Sequence, residues 1–94
     1  MNITHEKSGP IRGSFRAEKD GKRAGEMFYS KAGQDKIIID HTEVEEAFRG
    51  EGVGKQILYK IVEWARAENI KIVPLCPFAK SVFDKEDEIR DVLN

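Results

Sequence analysis

Apolar and polar residues alternate weakly through the first half of the chain, and the period then changes to that of a helix. Residues 3–7 and 14–19 read as short strands with partial alternation. Asp20-Gly21 is a hairpin-turn signal. Residues 23–30 continue beyond it, with Met27 and Tyr29 on one face and Phe28 on the other. A second turn falls at Ala32-Gly33. Residues 36–44 carry Ile37, Ile38 and Ile39, a run that predicts a central strand covered on both faces. These segments predict an antiparallel meander. After them, Val53, Ile57, Leu58, Ile61, Val62 and Ala65 recur every three or four residues, with Lys55, Lys60, Glu63 and Arg66 mostly opposite. That spacing predicts an amphipathic helix over 53–68, ended by Asn69. Residues 71–75 predict a short strand parallel to the one at Ile37, because a helical crossover precedes it. Pro74 and Pro77 mark its end. A last helix is expected over 79–92, with Val82, Phe83, Ile89 and Val92 as its apolar side. The fold class is therefore α/β in the α+β sense, a mixed sheet with an antiparallel N-terminal meander, a parallel strand pair and two helices.

Composition narrows the function classes. Residues 1–94 are expected to form one domain, with no repeat, linker or low-complexity segment. The net charge of -1 argues against a general nucleic-acid binder, so any anion site must be local. No apolar stretch reaches membrane-spanning length, and the N-terminus lacks the apolar core of a secretory signal. One cysteine, Cys76, allows no internal disulfide, and no zinc-type Cys/His spacing or other metal site is implied. The expected location is cytoplasmic, where the thiol stays reduced.

The candidate chemistry centres on Arg49-Gly50-Glu51-Gly52-Val53-Gly54-Lys55, at the mouth of the predicted helix. A helix start carries unpaired N–H groups and partial positive charge. Glycines let an anion come close to them. The segment thus reads as a seat for phosphate or pyrophosphate. It is not a nucleotide P-loop, because Arg49 replaces the first glycine and Gln56 the magnesium-binding Ser or Thr. Nor is it a dinucleotide fingerprint, because Lys55 holds the third glycine position and residues 45–48 separate the loop from the strand.

Arg49, Gly52 and Gly54 do match a (Q/R)-x-x-G-x-(G/A) pattern, and the strand–loop–helix–strand setting agrees. The chain resembles the GNAT N-acetyltransferase superfamily, and most nearly a small, minimal single-domain subfamily (YjdJ-like), over about residues 23–83. Asp40-His41-Thr42 and Cys76-Pro77-Phe78-Ala79-Lys80 belong to the same likeness. The resemblance implies that acetyl-CoA is the cofactor and that an unidentified amine is the acceptor. Backbone amides from Gly50 to Lys55 would ring the pyrophosphate. The pantetheine arm would lie between two splayed parallel strands, with backbone near Val44, between Glu43 and Glu45, orienting the thioester. Lys55 and Lys80 are candidates for the phosphates, with a plain surface role as the alternative. Arg49 would lie near phosphate.

His41 is a candidate general base, or else a strand histidine bonded to neighbouring backbone. Glu43 and Glu45 are alternative bases that read more simply as solvated or ion-paired. Cys76 is a candidate nucleophile, a proton donor to departing coenzyme A, or a small buried hydrophobe. His5 reads as surface, and Trp64, Phe78 and Phe83 as core. Two departures from the family stand out. Phe83 falls where many members place an acidic tyrosine, which leaves the acid role vacant or with Cys76. The short Asp20-Gly21 turn stands where members carry two helices, so the acceptor site is open or supplied by another chain. The expected function is N-acetyl transfer from acetyl-CoA to an amine. The alternatives are a coenzyme A-binding or sensor module without turnover, and a plain interaction domain.

Overall fold

The computed structural model describes residues 1–94. Five strands form one sheet in the order β1-β2-β3-β4-β5. They are β1 (Asn2–Lys7), β2 (Arg12–Lys19), β3 (Lys22–Lys31), β4 (Lys36–Val44) and β5 (Lys71–Pro74). The first four pair antiparallel, and β4 pairs with β5 in parallel over Lys36 to Ile39. Helix α1 (Val53–Glu68) joins the two parallel strands, and α2 (Pro77–Lys85) follows β5. Asp20 and Gly21 both adopt positive φ (53° and 76°), the pairing that a tight two-residue hairpin requires.

The elements form where their side chains can be buried. Helix α1 turns Val53, Ile57, Leu58, Ile61, Val62 and Ala65 onto the sheet. They join Phe15, Met27, Ile37, Ile39 and Ile72 from the strands and Phe83 from α2 in one core cluster. Ile61 is fully buried, so truncating it to alanine costs about 2–5 kcal/mol, a large part of the stability of a fold this size. Asn69 closes α1 in the left-handed conformation (φ 56°). No helix is long and apolar enough to cross a membrane.

Five expectations need correction. Ile37 and Ile39 are fully buried but Ile38 only half, so the core covers one face of β4 and not both. The helix expected over 79–92 breaks at Glu86, whose φ of -114° and ψ of 98° are not helical, and resumes as a 3-10 turn, Asp87–Val92. Asp84, Glu86, Asp87 and Glu88 crowd carboxylates at the negative end of α2, which disfavours continuation. Arg90 folds back instead, and its guanidinium donates to the carbonyls of Phe83 (2.7 Å) and Asp84. His5 is not a surface side chain. It stacks on Phe15 at 4.2 Å, meets Trp64 edge-on at 4.9 Å and hydrogen-bonds the Tyr29 hydroxyl at 2.6 Å. Residues 8–11, not Asp20-Gly21, are the short link between the first two strands. Phe78 is 39% exposed and is not core, whereas Phe83 is.

Candidate functional site

The site begins with an irregularity in β4. Phe28 of β3 faces His41 and Tyr29 faces Ile39, so Asp40 is one residue too many. Such a bulge bends a strand and re-aims its side chains. Before it, Ile37 and Ile39 point into the core. After it, Thr42 takes the core side, where its Oγ1 lies 3.2 Å from the Sγ of Cys76. His41 takes the other face and lies near the Phe28 ring, centroids 6.1 Å apart.

The parallel ladder ends at the same place. Ile39 is paired with Pro74, and no residue of β4 beyond Ile39 pairs with β5. Proline has no N–H to continue the ladder. The chain then turns, and the Cys76 N–H donates to the Ile39 carbonyl at 3.0 Å. Glu45 meanwhile donates its N–H to Ala24 of β3 at 2.8 Å. Alternation along an antiparallel strand therefore turns the N–H and C=O groups of Val44 and Thr42 away from β3. They face the lane that β5 vacates, an edge able to accept another strand-like, amide-bearing chain.

That lane leads to the glycine loop. A single 3-10 turn, Glu46–Phe48, carries the backbone from β4 to the loop. Gly50 (φ 83°) and Gly52 (φ 73°) are left-handed, and Gly52 caps α1 without any side-chain hydrogen bond. The first backbone bond of α1 runs from Gln56 N–H to the Gly52 carbonyl (3.0 Å), leaving the N–H groups of Val53, Gly54 and Lys55 without a carbonyl. Gly54 is small for a reason the sequence did not show. A Cβ there would lie 2.6 Å from Cζ of Phe78, so the α2 ring closes directly over the helix start. A cavity of about 280 Å³ follows this path, lined among others by Val44, Phe48, Gly52, Gly54, Lys55 and Phe78.

The structure thus gathers Val44, Arg49, Gly50, Gly52, Val53, Gly54 and Lys55 around one hollow. Arg49 is highly exposed and pairs with Glu46 at 2.9 Å. Lys55 pairs with Glu86. Glu51 points to Lys19 at 2.9 Å and does not line the hollow, nor does Lys80, which lies 3.4 Å from Asp84. Phe48 and Phe78 are additional lining residues. The signal for Phe78 was an aromatic ring directly after Pro77 at a helix start, where one face stays open.

His41 and Cys76 do not meet. Cys76 is buried, caps α2 and has Thr42 as its side-chain partner. His41 is exposed on the opposite face, with Nε2 3.2 Å from a Glu43 carboxylate oxygen. Arg23 binds Glu43 at 2.6 Å and also holds Glu26 and Glu45. Its hydrogen bond keeps the Glu43 carboxyl below the usual glutamate range, so an anionic oxygen faces the imidazole of His41.

Comparison with known proteins bears on the family and the fold. Residues 14–92 match the sequence profile of the GCN5-related N-acetyl-transferase family. A GCN5-like protein from Staphylococcus aureus, solved by NMR, is 36% identical, with a TM-score of 0.73 over 99% of this chain and 87% of that one. The ribosomal-protein-alanine N-acetyltransferase of Brucella melitensis is 17% identical and shares the fold, with a TM-score of 0.69 over 82% of this chain and 62% of that one. The aminoglycoside N-acetyltransferase AAC(6')-Iy in complex with coenzyme A is 20% identical, with a TM-score of 0.60 over 82% of this chain and 67% of its own. No curated protein sequence matches the chain.

Proposed function

We propose, on the premise that the chain belongs to the GCN5-related N-acetyltransferase family, that it binds acetyl-CoA and transfers the acetyl group to an amine. The observation that carries this reading is the continuity of two backbone features. Val53, Gly54 and Lys55, whose N–H groups have no carbonyl partner, and Val44 line one hollow. Beyond Val44, the unpaired edge of β4 continues to Thr42, beside Cys76. A pyrophosphate suits the helix start, and an arm with two amides suits the edge. Val44 then holds the arm, and the thioester comes to rest further along, near Thr42. The Thr42 N–H is placed to polarise the thioester carbonyl.

The two faces of β4 suit two proton tasks. The amine nitrogen attacks the thioester carbon, the C–N bond forms and the C–S bond breaks. His41, on the open face, takes the proton that the amine loses. Cys76, on the core face, donates a proton to the departing thiolate of coenzyme A and regains one from solvent. A cytoplasmic location goes with the reduced thiol that this role needs.

The test is release of free coenzyme A from acetyl-CoA in the presence of a panel of small amines and lysine-containing peptides. Turnover should fall about 100-fold in His41→Gln with affinity for coenzyme A unchanged. Full activity in both His41→Gln and Cys76→Ala would overturn the assignment of roles. Tight binding without turnover on any amine would point instead to a coenzyme A sensor. The burial of Cys76 favours that second reading, because its thiol is already engaged by Thr42.

A further inference from the structure

The open face of the sheet carries a second hollow, of about 500 Å³, at the level of the β4 bulge. Its lining includes Ser8, Arg12, Phe28, Ser30, Asp40 and His41. Two of these are opposite charges that do not pair. Arg12 makes no ion pair, and neither does Asp40, which instead accepts a hydrogen bond from the Ser30 hydroxyl. The Arg23 guanidinium on the same face is, by contrast, shared among three glutamates. The register explains why these two stay apart. Arg12 on β2 lies opposite Ser30 on β3, Ser30 faces Ile38 on β4, and Asp40 is the unpaired bulge residue two positions further along. Two strand spacings alone, about 10 Å, hold the two backbones apart, and the offset along β4 adds to that. The Ser30 hydroxyl lies between them, and the half-buried Phe28 ring supplies a wall that suits a cation.

From this arrangement, and resting on the acetyl-transfer reading above, we infer that the hollow is the acceptor site and that its occupant is a small zwitterion, a primary amine with a carboxylate several ångströms away. Orientation follows from where the charges sit. Asp40 and His41 lie at the bulge, next to Ile39, where β4 parts from β5. The ammonium end is therefore drawn to the place where the thioester arrives, and Arg12 holds the anionic end at the far side. Asp40 fixes the amine and His41 accepts its proton. A guanidinium forks onto a carboxylate in a way no surface lysine reproduces. An acceptor with only the amine leaves Arg12 unanswered.

The experiment is a set of amide-shift titrations of the full chain, with and without coenzyme A, using 6-aminohexanoate, hexylamine, hexanoate and a lysine-containing peptide as probes. The expected result is binding of 6-aminohexanoate about tenfold tighter than either one-charge analogue, with shifts at Arg12, Ser30, Asp40 and His41. Arg12→Gln should remove the preference over hexylamine, and Asp40→Asn should weaken both amines. Neither substitution should alter affinity for coenzyme A. Equal binding of hexylamine and 6-aminohexanoate overturns the inference, as does tighter binding of the peptide or shifts confined to other faces. Coenzyme A titrated alone separates the two ideas. If it binds and the zwitterion shows no preference, the acceptor assignment fails and the cofactor reading stands. If the zwitterion binds as stated and coenzyme A does not, the hollow is a zwitterion site but the cofactor reading fails, and the acceptor role fails with it.

Discussion

Gly54→Ala tests why the helix start is built as it is. The added Cβ would lie 2.6 Å from Cζ and 2.7 Å from Cε2 of Phe78, while ordinary contact begins near 3.4 Å. The ring must therefore retreat by 3.4 − 2.6 = 0.8 Å. Overpacking of this kind costs about 1–3 kcal/mol. Alanine recovers up to about 1 kcal/mol of that through its helix propensity. Because Phe78 is 39% exposed, its ring can yield toward solvent, and a net loss near 1 kcal/mol is expected. For a chain of this length that lowers Tm by about 4–8 °C. The assay is a double-mutant cycle with Phe78→Ala, read by thermal melts and by titration with coenzyme A. In the Phe78→Ala background the same substitution should become neutral or stabilising, because nothing is left to clash. In the native background affinity for coenzyme A should fall as well, because Gly54 and Phe78 border the same hollow. An identical loss of Tm in both backgrounds would refute the reasoning, and the glycine would then need another explanation.

Three further outcomes follow from the electrostatics. Burial, with Lys7 and Lys31 adding to it, holds the His5 pKa below its ordinary 6.5. The stability this ring contributes is complete above that value and lost as pH falls through the folded one, so Tm should drop more steeply between neutral and acid pH in the native protein than in His5→Phe. Equal slopes would rule His5 out as a source of acid sensitivity. The Tyr59 hydroxyl donates to Glu88 at 2.8 Å, and its pKa is pushed up to about 12. In Glu88→Ala, ultraviolet titration should show this tyrosine ionising at lower pH than in the native protein, and an unchanged curve would contradict the pairing. In Arg23→Met the Glu43 carboxyl should titrate nearer its ordinary value in NMR. Its folded pKa is depressed, so its contribution is present above the unfolded value and lost on acidification, and that part of the acid slope should flatten. A Glu43 titration that does not move would remove Arg23 as its anchor.

The regular elements were legible because their signals are local. Residues 36–44 and 53–68 begin and end in the structure where alternation and helical spacing place them, and Asp20-Gly21 forms the tight turn its residue types require. The parallel pairing followed from the helix between the two strands. What escaped depends on contacts far apart in sequence. The bulge at Asp40 is visible only against β3, although the change of parity from Ile37 and Ile39 to Thr42 and Val44 hinted at it. That single extra residue decides that His41 and Cys76 face opposite ways. His5 escaped for the same reason, because its partners Phe15, Tyr29 and Trp64 come from three other segments. The break at Glu86 was readable in principle, since four carboxylates in five residues oppose a helix end. The glycine loop was legible by spacing as the open start of α1, but the packing of Phe78 on Gly54 was not, since no local pattern says which ring a helix start will meet.

The most direct measurement is a backbone amide titration of isotope-labelled protein with acetyl-CoA, beside ATP and NAD as controls. The account predicts saturable shifts at Val53, Gly54 and Lys55 together with Val44 and Thr42, produced by acetyl-CoA and not by NAD. Shifts restricted to exposed lysines, or an equal response to all three nucleotides, would contradict it.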